Sequence, residues 1–135
     1  MSISLYDTNG NFIAEQSGET VEFTVENPVF WNAEKPQLYT VKITRDGEEI
    51  TQKTAFRTIE ISKERELLIN GVPVKLYGVN HHDTSAKGGW YQTDDELLQD
   101  VLLMKQLNIN TIRTSHYPPT PQMLAMCDRI GFYVI

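Results

Sequence analysis

Val74-Lys75-Leu76-Tyr77-Gly78-Val79-Asn80-His81-His82-Asp83 runs from apolar, strand-forming residues straight into hydrogen-bonding and titratable side chains. A second stretch of the same design, Thr111-Ile112-Arg113-Thr114-Ser115-His116-Tyr117-Pro118, ends in a charge, a hydroxyl and a base. Between them Leu97, Leu98, Val101, Leu102, Met104 and Leu107 recur at helical spacing, while Gln99, Asp100, Lys105 and Gln106 fall mostly on the other side. Strand, helix, strand with polar residues at both strand ends reads as a parallel βαβ unit. Ligands of such units lie beyond the carboxyl ends of the strands.

Local signals extend this pattern. Thr93 followed by Glu96 predicts a capping box at the helix start, and Asn108-Ile109-Asn110 ends the helix. A second helix is expected from Pro121 to Ile130, with Thr120 as its N-cap, Met123, Leu124, Cys127 and Ile130 as its apolar face, and Gly131 as a left-handed cap. Val74 to Val79, Thr111 to Ser115 and Phe132 to Ile135 are then expected as neighbouring parallel strands. Asp95 to Leu107 and Pro121 to Ile130 would lie on one side of them, as right-handed crossovers require. The chain stops inside that third strand, where a sheet edge would stay open, so a fragment of a longer protein is expected.

The region before this unit is β-like. Asn9-Gly10 and Asp46-Gly47 are hairpin signals, and Tyr39, Val41 and Ile43 alternate with Thr40, Lys42 and Thr44. Further strands are expected over Ile3 to Tyr6, Phe12 to Glu15, Val21 to Glu26 and Glu49 to Thr58. The loop Asn27 to Tyr39 holds two prolines beside Phe30 and Trp31, which are expected to plug the base of a sandwich or its junction with the next domain. The polar run Ser62-Lys63-Glu64-Arg65-Glu66 is expected to mark the domain boundary, followed by a hairpin turning at Asn70-Gly71.

Composition narrows the function. With 40% hydrophobic and 22% charged residues in 135, the chain reads as soluble and globular, and no apolar run approaches the roughly 20 residues of a membrane span. A net charge of -6 disfavours nucleic acid and anionic membranes as partners and leaves neutral or polar small molecules open. Met1-Ser2-Ile3-Ser4 shows no secretory pattern and the single Cys127 excludes an internal disulfide, so a reducing, cytoplasmic setting is expected. Cys127 is expected as a small buried hydrophobe, not a reactive thiol.

Several motifs in order resemble the start of the catalytic barrel of family 2 glycoside hydrolases, bacterial β-galactosidases in particular. They are Gly78 to Asp83, Leu102 to Gln106, Arg113 to Pro118 and Met126 to Val134, and the Pro28 to Tyr39 loop resembles the preceding immunoglobulin-like domain of that family. The resemblance implies a mixed fold: part of an immunoglobulin-like β-sandwich over residues 1–60, then the first β/α units of a truncated (β/α)8 TIM barrel over residues 61–135. It implies a retaining exo-glycosidase acting on β-galactosides such as lactose, as a homo-oligomer, with β-glucuronidase or another family 2 glycosidase as alternatives.

By the same resemblance His82 and His116 bind sugar hydroxyls, Arg113 orients the nucleophilic carboxylate and Asn80 helps shape the floor. The physics agrees: imidazoles can donate to neutral hydroxyls, and a guanidinium keeps a nearby carboxylate ionised. The catalytic acid and nucleophile would lie beyond Ile135, so this chain holds no catalytic carboxylate and alone is expected to be inactive. Asp83, Asp94, Asp95 and Glu96 are assigned to a turn and a helix cap, although Asp83 could instead order His82.

Some family members carry a divalent ion, and the resemblance implies Mg2+ for the parent protein, but its ligands resemble downstream residues and no cofactor or metal ligand is identifiable in this chain. A zinc set of His81, His82, Asp83 and His116 is the competing assignment, opposed by the rule that consecutive strand residues face opposite ways. Two readings without hydrolysis remain. One is a carbohydrate-binding module stacking sugars on Trp31 and Tyr91, and the other is an assembly piece.

Overall fold

The computed structural model describes residues 1–135. They divide into two units, Met1–Trp31 with Gln37–Thr58, and Asn32–Pro36 with Ile59–Ile135.

The first unit is one antiparallel sheet of β1 (Ser2–Tyr6), β2 (Phe12–Ser17), β3 (Tyr39–Arg45) and β4 (Glu48–Thr54), in the order β2-β1-β3-β4. Asp46 (φ 51°) and Gly47 (φ 87°) both take the left-handed conformation that lets a two-residue turn follow strand twist. At Asn9-Gly10 the turn is wider: Asp7 Oδ1 accepts from the amides of Asn9 and Asn11, both at 2.8 Å, and the register slips between Leu5 and Tyr6. Val21 to Glu26, expected as a strand, forms none. Its alternation supplies a suitable face but not a backbone partner, and a side-chain bond from Gln16 Nε2 to the Glu22 carbonyl (2.7 Å) stands where a ladder was expected. Trp31 is buried, donating its N–H to the Phe56 carbonyl (2.9 Å), whereas Phe30 is 46% exposed, so of the expected pair only Trp31 is enclosed.

The second unit opens with a small antiparallel sheet of β5 (Ile59–Ile61), β6 (Leu67–Ile69) and β7 (Val72–Pro73). Ser62 to Glu66 is the turn between β5 and β6 and not a linker: Ser62 Oγ accepts from the amides of Glu64 (3.1 Å) and Glu66 (3.2 Å). These residues are polar because a turn exposes them. Asn70 (φ 54°) and Gly71 (φ 74°) make the expected tight hairpin.

Next come β8 (Gly78–His81), α1 (Asp94–Gln106), β9 (Thr111–Thr114), α2 (Pro121–Ile130) and β10 (Tyr133–Val134), with the strands parallel in the order β8-β9-β10. β8 begins at Gly78, four residues later than the sequence pattern predicts. The Asn110 side chain explains this, accepting from the Tyr77 N–H (2.8 Å) and donating to the Lys75 carbonyl (2.9 Å). Those backbone groups are satisfied without joining the ladder.

Both helices start and end as their sequences direct. Thr93 Oγ1 accepts from the Glu96 N–H (3.2 Å) and Glu96 answers from the Thr93 N–H (3.0 Å), which completes the capping box. After α1, Asn108 (φ 58°) is left-handed, and the amides of Asn108 and Ile109 bond back to Lys105 and Met104. Thr120 caps α2, with Pro121 at its first turn and Gly131 (φ 94°) after its end.

The core gathers Leu97, Val101 and Met104 from α1, Met123 and Cys127 from α2, and Ile112 and Phe132, with Val79 packed against them. The buried stripe of α1 is narrower than its apolar pattern, since Leu102 and Leu107 are exposed. Lys105 is drawn inward: its ammonium donates to the carbonyls of Ala33 (2.7 Å) and Gly131 (2.8 Å).

A Cβ at Gly131 would stand 2.1 Å from the Ala33 carbonyl oxygen, on top of the left-handed φ. Gly131→Ala should therefore lower unfolding free energy by about 2–4 kcal/mol, combining handedness and overpacking. Gly71→Ala, with open space around its Cβ, should cost about 1–2 kcal/mol. Urea melts followed by circular dichroism check this, and equal midpoints for the two variants would contradict it.

Candidate active site

Strand alternation sorts the residues at the carboxyl ends of β8 and β9. Val79 and Ile112 pair in register and pack with the helices, so the next pair, Asn80 and Arg113, projects from the opposite, exposed face. Arg113 Nη1 donates to Asn80 Oδ1 and to Ser115 Oγ, both at 3.2 Å. Both partners are neutral, so the guanidinium keeps its charge available to an anionic group. Ser115 is buried, and its N–H donates to the His81 carbonyl (3.1 Å).

Beyond the strand ends the exposed His82 and His116 rings meet edge to face, with centroids 5.8 Å apart. Tyr117 flanks His82 at 5.9 Å, and its hydroxyl accepts from the Asp83 N–H (2.9 Å). The four residues singled out from the sequence thus form two pairs, Asn80 with Arg113 and His82 with His116. Sequence reasoning passed over Ser115 and Tyr117, which tie the two strand ends together. The signal was present in the hydroxyl-bearing side chains that flank His116.

His81 and Asp83 form a pair apart from these four. The His81 ring faces α1, with Nδ1 3.5 Å from Asp83 Oδ1 and Nε2 3.7 Å from Asp100 Oδ2. Asp83, on the loop after β8, therefore faces His81 and not His82. His81 and His82 diverge, and no group of three or more His, Cys, Asp or Glu side chains is arranged to hold a metal ion.

Asp94, Asp95 and Glu96 form the first turn of α1. The backbone N–H of Thr93 holds the Glu96 carboxyl below its usual range. Trp31 offers no stacking platform, being 1% exposed with the Arg57 guanidinium 5.2 Å over its ring, while Tyr91 is exposed.

Comparison with known proteins places this arrangement. Residues 59–135 match the family model "Glycosyl hydrolases family 2, TIM barrel domain", and residues 2–57 match "Glycosyl hydrolases family 2". The chain belongs to glycosyl hydrolase family 2. It is 45% identical over 131 residues to a β-galactosidase of Actinobacillus pleuropneumoniae, covering 97% of this chain and 13% of that protein. It is 40% identical over 136 residues to a β-galactosidase of Staphylococcus xylosus, covering 100% of this chain and 14% of the relative. The family 2 chain therefore spans a small part of the curated relatives it matches. Among solved structures, a Faecalibacterium prausnitzii β-glucuronidase superposes with a TM-score of 0.89 at 28% identity, over 98% of this chain and 22% of that one. No helix of the family 2 chain is long and apolar enough to cross a membrane.

Cys127 stands apart from the site. Burial pushes its thiol up to about 12, with the neighbouring Asp128 adding to the effect, so the nucleophilic thiolate is suppressed. Iodoacetamide at pH 8 should leave Cys127 unmodified in the folded family 2 chain and label it fully in urea. Mass spectrometry reads the difference, and rapid labelling without denaturant would contradict the burial argument.

Proposed function

We propose that this chain contributes one wall of the active site of a retaining exo-glycosidase that hydrolyses terminal β-galactosides such as lactose. The observation that carries the reading is the exposed constellation of Asn80, Arg113, His82 and His116 at the carboxyl ends of β8 and β9. In a chain 45% identical to a β-galactosidase over 131 residues, that is where barrel enzymes build their sites. In this reading β8, β9 and β10 are the first strands of a (β/α)8 barrel, and the β1–β4 sheet belongs to an immunoglobulin-like sandwich. The intact protein is a cytoplasmic homo-oligomer.

Retaining hydrolysis uses two carboxyl groups about 5 to 5.5 Å apart, one protonated acid and one ionised nucleophile. Both come from other parts of the barrel. Arg113 favours the ionised form of the nucleophile, and His82 and His116 bond sugar hydroxyls as charge develops on the ring. Asn80 holds Arg113 and forms the floor. β-Glucuronidase activity is the second reading, favoured by the solved structural neighbours. Assaying the intact protein on chromogenic β-galactoside and β-glucuronide separates the two, and activity on neither would sink both.

In the intact protein His116→Ala or His82→Ala should lower kcat more than it weakens binding, by about 2–4 kcal/mol of barrier for each. Steady-state kinetics unchanged in both variants would make these histidines structural. The isolated 135-residue chain should release no chromophore from a β-galactoside, since orientation without the two carboxyl groups does not cleave the bond. Release that scales with purified chain and vanishes in Arg113→Ala would overturn this.

A further inference from the structure

His81 is the buried titratable group that the proposed chemistry leaves unused. Its side chain is 10% exposed, and Nε2 is sealed from solvent without a hydrogen-bond partner. Asp83, on its own strand-end loop, faces one ring nitrogen at 3.5 Å, and Asp100, from α1, faces the other at 3.7 Å. The residue registered beside His81 on β9 is Thr114, which is uncharged. Both separations lie within ion-pair range but beyond a well-formed hydrogen bond. Carboxylate oxygens thus flank the ring on both sides.

The links continue in both directions. The Gln92 amide donates to Asp100 Oδ2, which anchors the outer carboxylate to the loop ahead of α1. On the inner side the Asp83 N–H donates to the Tyr117 hydroxyl, and Tyr117 flanks His82. We propose that His81 is a positioning residue: a clasp between Asp100 and Asp83 that sets, through Asp83 and Tyr117, where His82 and His116 stand. A bare apolar contact at this place would fix the strand but not the loop. A polar ring flanked on both sides fixes the loop to the helix.

The clasp is tested without substrate, so it can fail while the glycosidase reading stands, although its catalytic consequence rests on that reading. Amide exchange and imidazole resonances of the 135-residue chain are followed by NMR in wild type, Asp100→Asn, His81→Gln and the double variant. Asp100→Asn keeps an acceptor for Gln92 and removes only the charge. Exchange at the Asp83 amide should quicken about two- to fivefold in each single variant, the factor that fits a partly exposed ion pair. The His82 and His116 ring signals should shift while Ile112 and Cys127 stay in place. The double variant should exchange no faster than His81→Gln, and Asp100→Glu should restore the wild-type rate.

Additive effects in the double variant, or an Asp83 amide and imidazoles unmoved by Asp100→Asn, would overturn the clasp. Should His81→Gln lose its fold, Asp100→Asn and Asp100→Glu decide alone, because the Asp100 carboxylate is 47% exposed and not part of the core.

Discussion

Burial of Ile112 between the two helices is the constraint on which the site depends. A β-strand residue that is fully enclosed on one side sends its neighbours to the other. With Ile112 and Val79 committed to the helices, Arg113 and Asn80 have no choice of face, and their side chains meet across the strands. The charge of Arg113 is tolerated because the face it occupies is open. A slip of one residue in the β8–β9 register would place the guanidinium in the core, where an unpaired charge is costly. The same packing that stabilises the sheet therefore keeps the candidate site assembled.

Polar groups outside the ladder complete what it leaves unfinished. Asn110 replaces a strand partner for Lys75 and Tyr77, Lys105 gathers the carbonyls of Ala33 and Gly131, and the Ser115 N–H and Tyr117 hydroxyl bridge the ends of β8 and β9. Each satisfies backbone or charged groups in places where regular structure stops. Connections of this kind let loops hold functional side chains in position while the helices supply rigidity. They also explain why the strands are short: the backbone changes partners as soon as the core contacts end.

The family assignment and the geometry answer different questions. Membership in glycosyl hydrolase family 2 rests on matches spread over the whole chain, sheet and barrel parts alike. The residues that would meet a sugar occupy a few positions at two strand ends. The β-galactosidase relatives and β-glucuronidase neighbours share this framework, so the sugar preference must depend on contacts beyond the framework itself.

Local features were legible in the sequence because their causes are local. The capping box at Thr93 and Glu96, Pro121 after Thr120, the left-handed Gly131 and the turns at Asp46-Gly47 and Asn70-Gly71 each depend on residues within one turn of chain. The neighbouring parallel strands were legible too, through strand pattern and crossover handedness, whereas the meeting of Asn80 with Arg113 needed the β8–β9 register. Only the tertiary structure decided that Val21 to Glu26 pairs with nothing, that β8 waits until Gly78, that Ser62 to Glu66 is a turn, and that Asp83 serves His81. Each of these depends on a partner far along the chain or on the absence of one. Periodicity states which way a side chain points, but only the folded chain supplies what it points at.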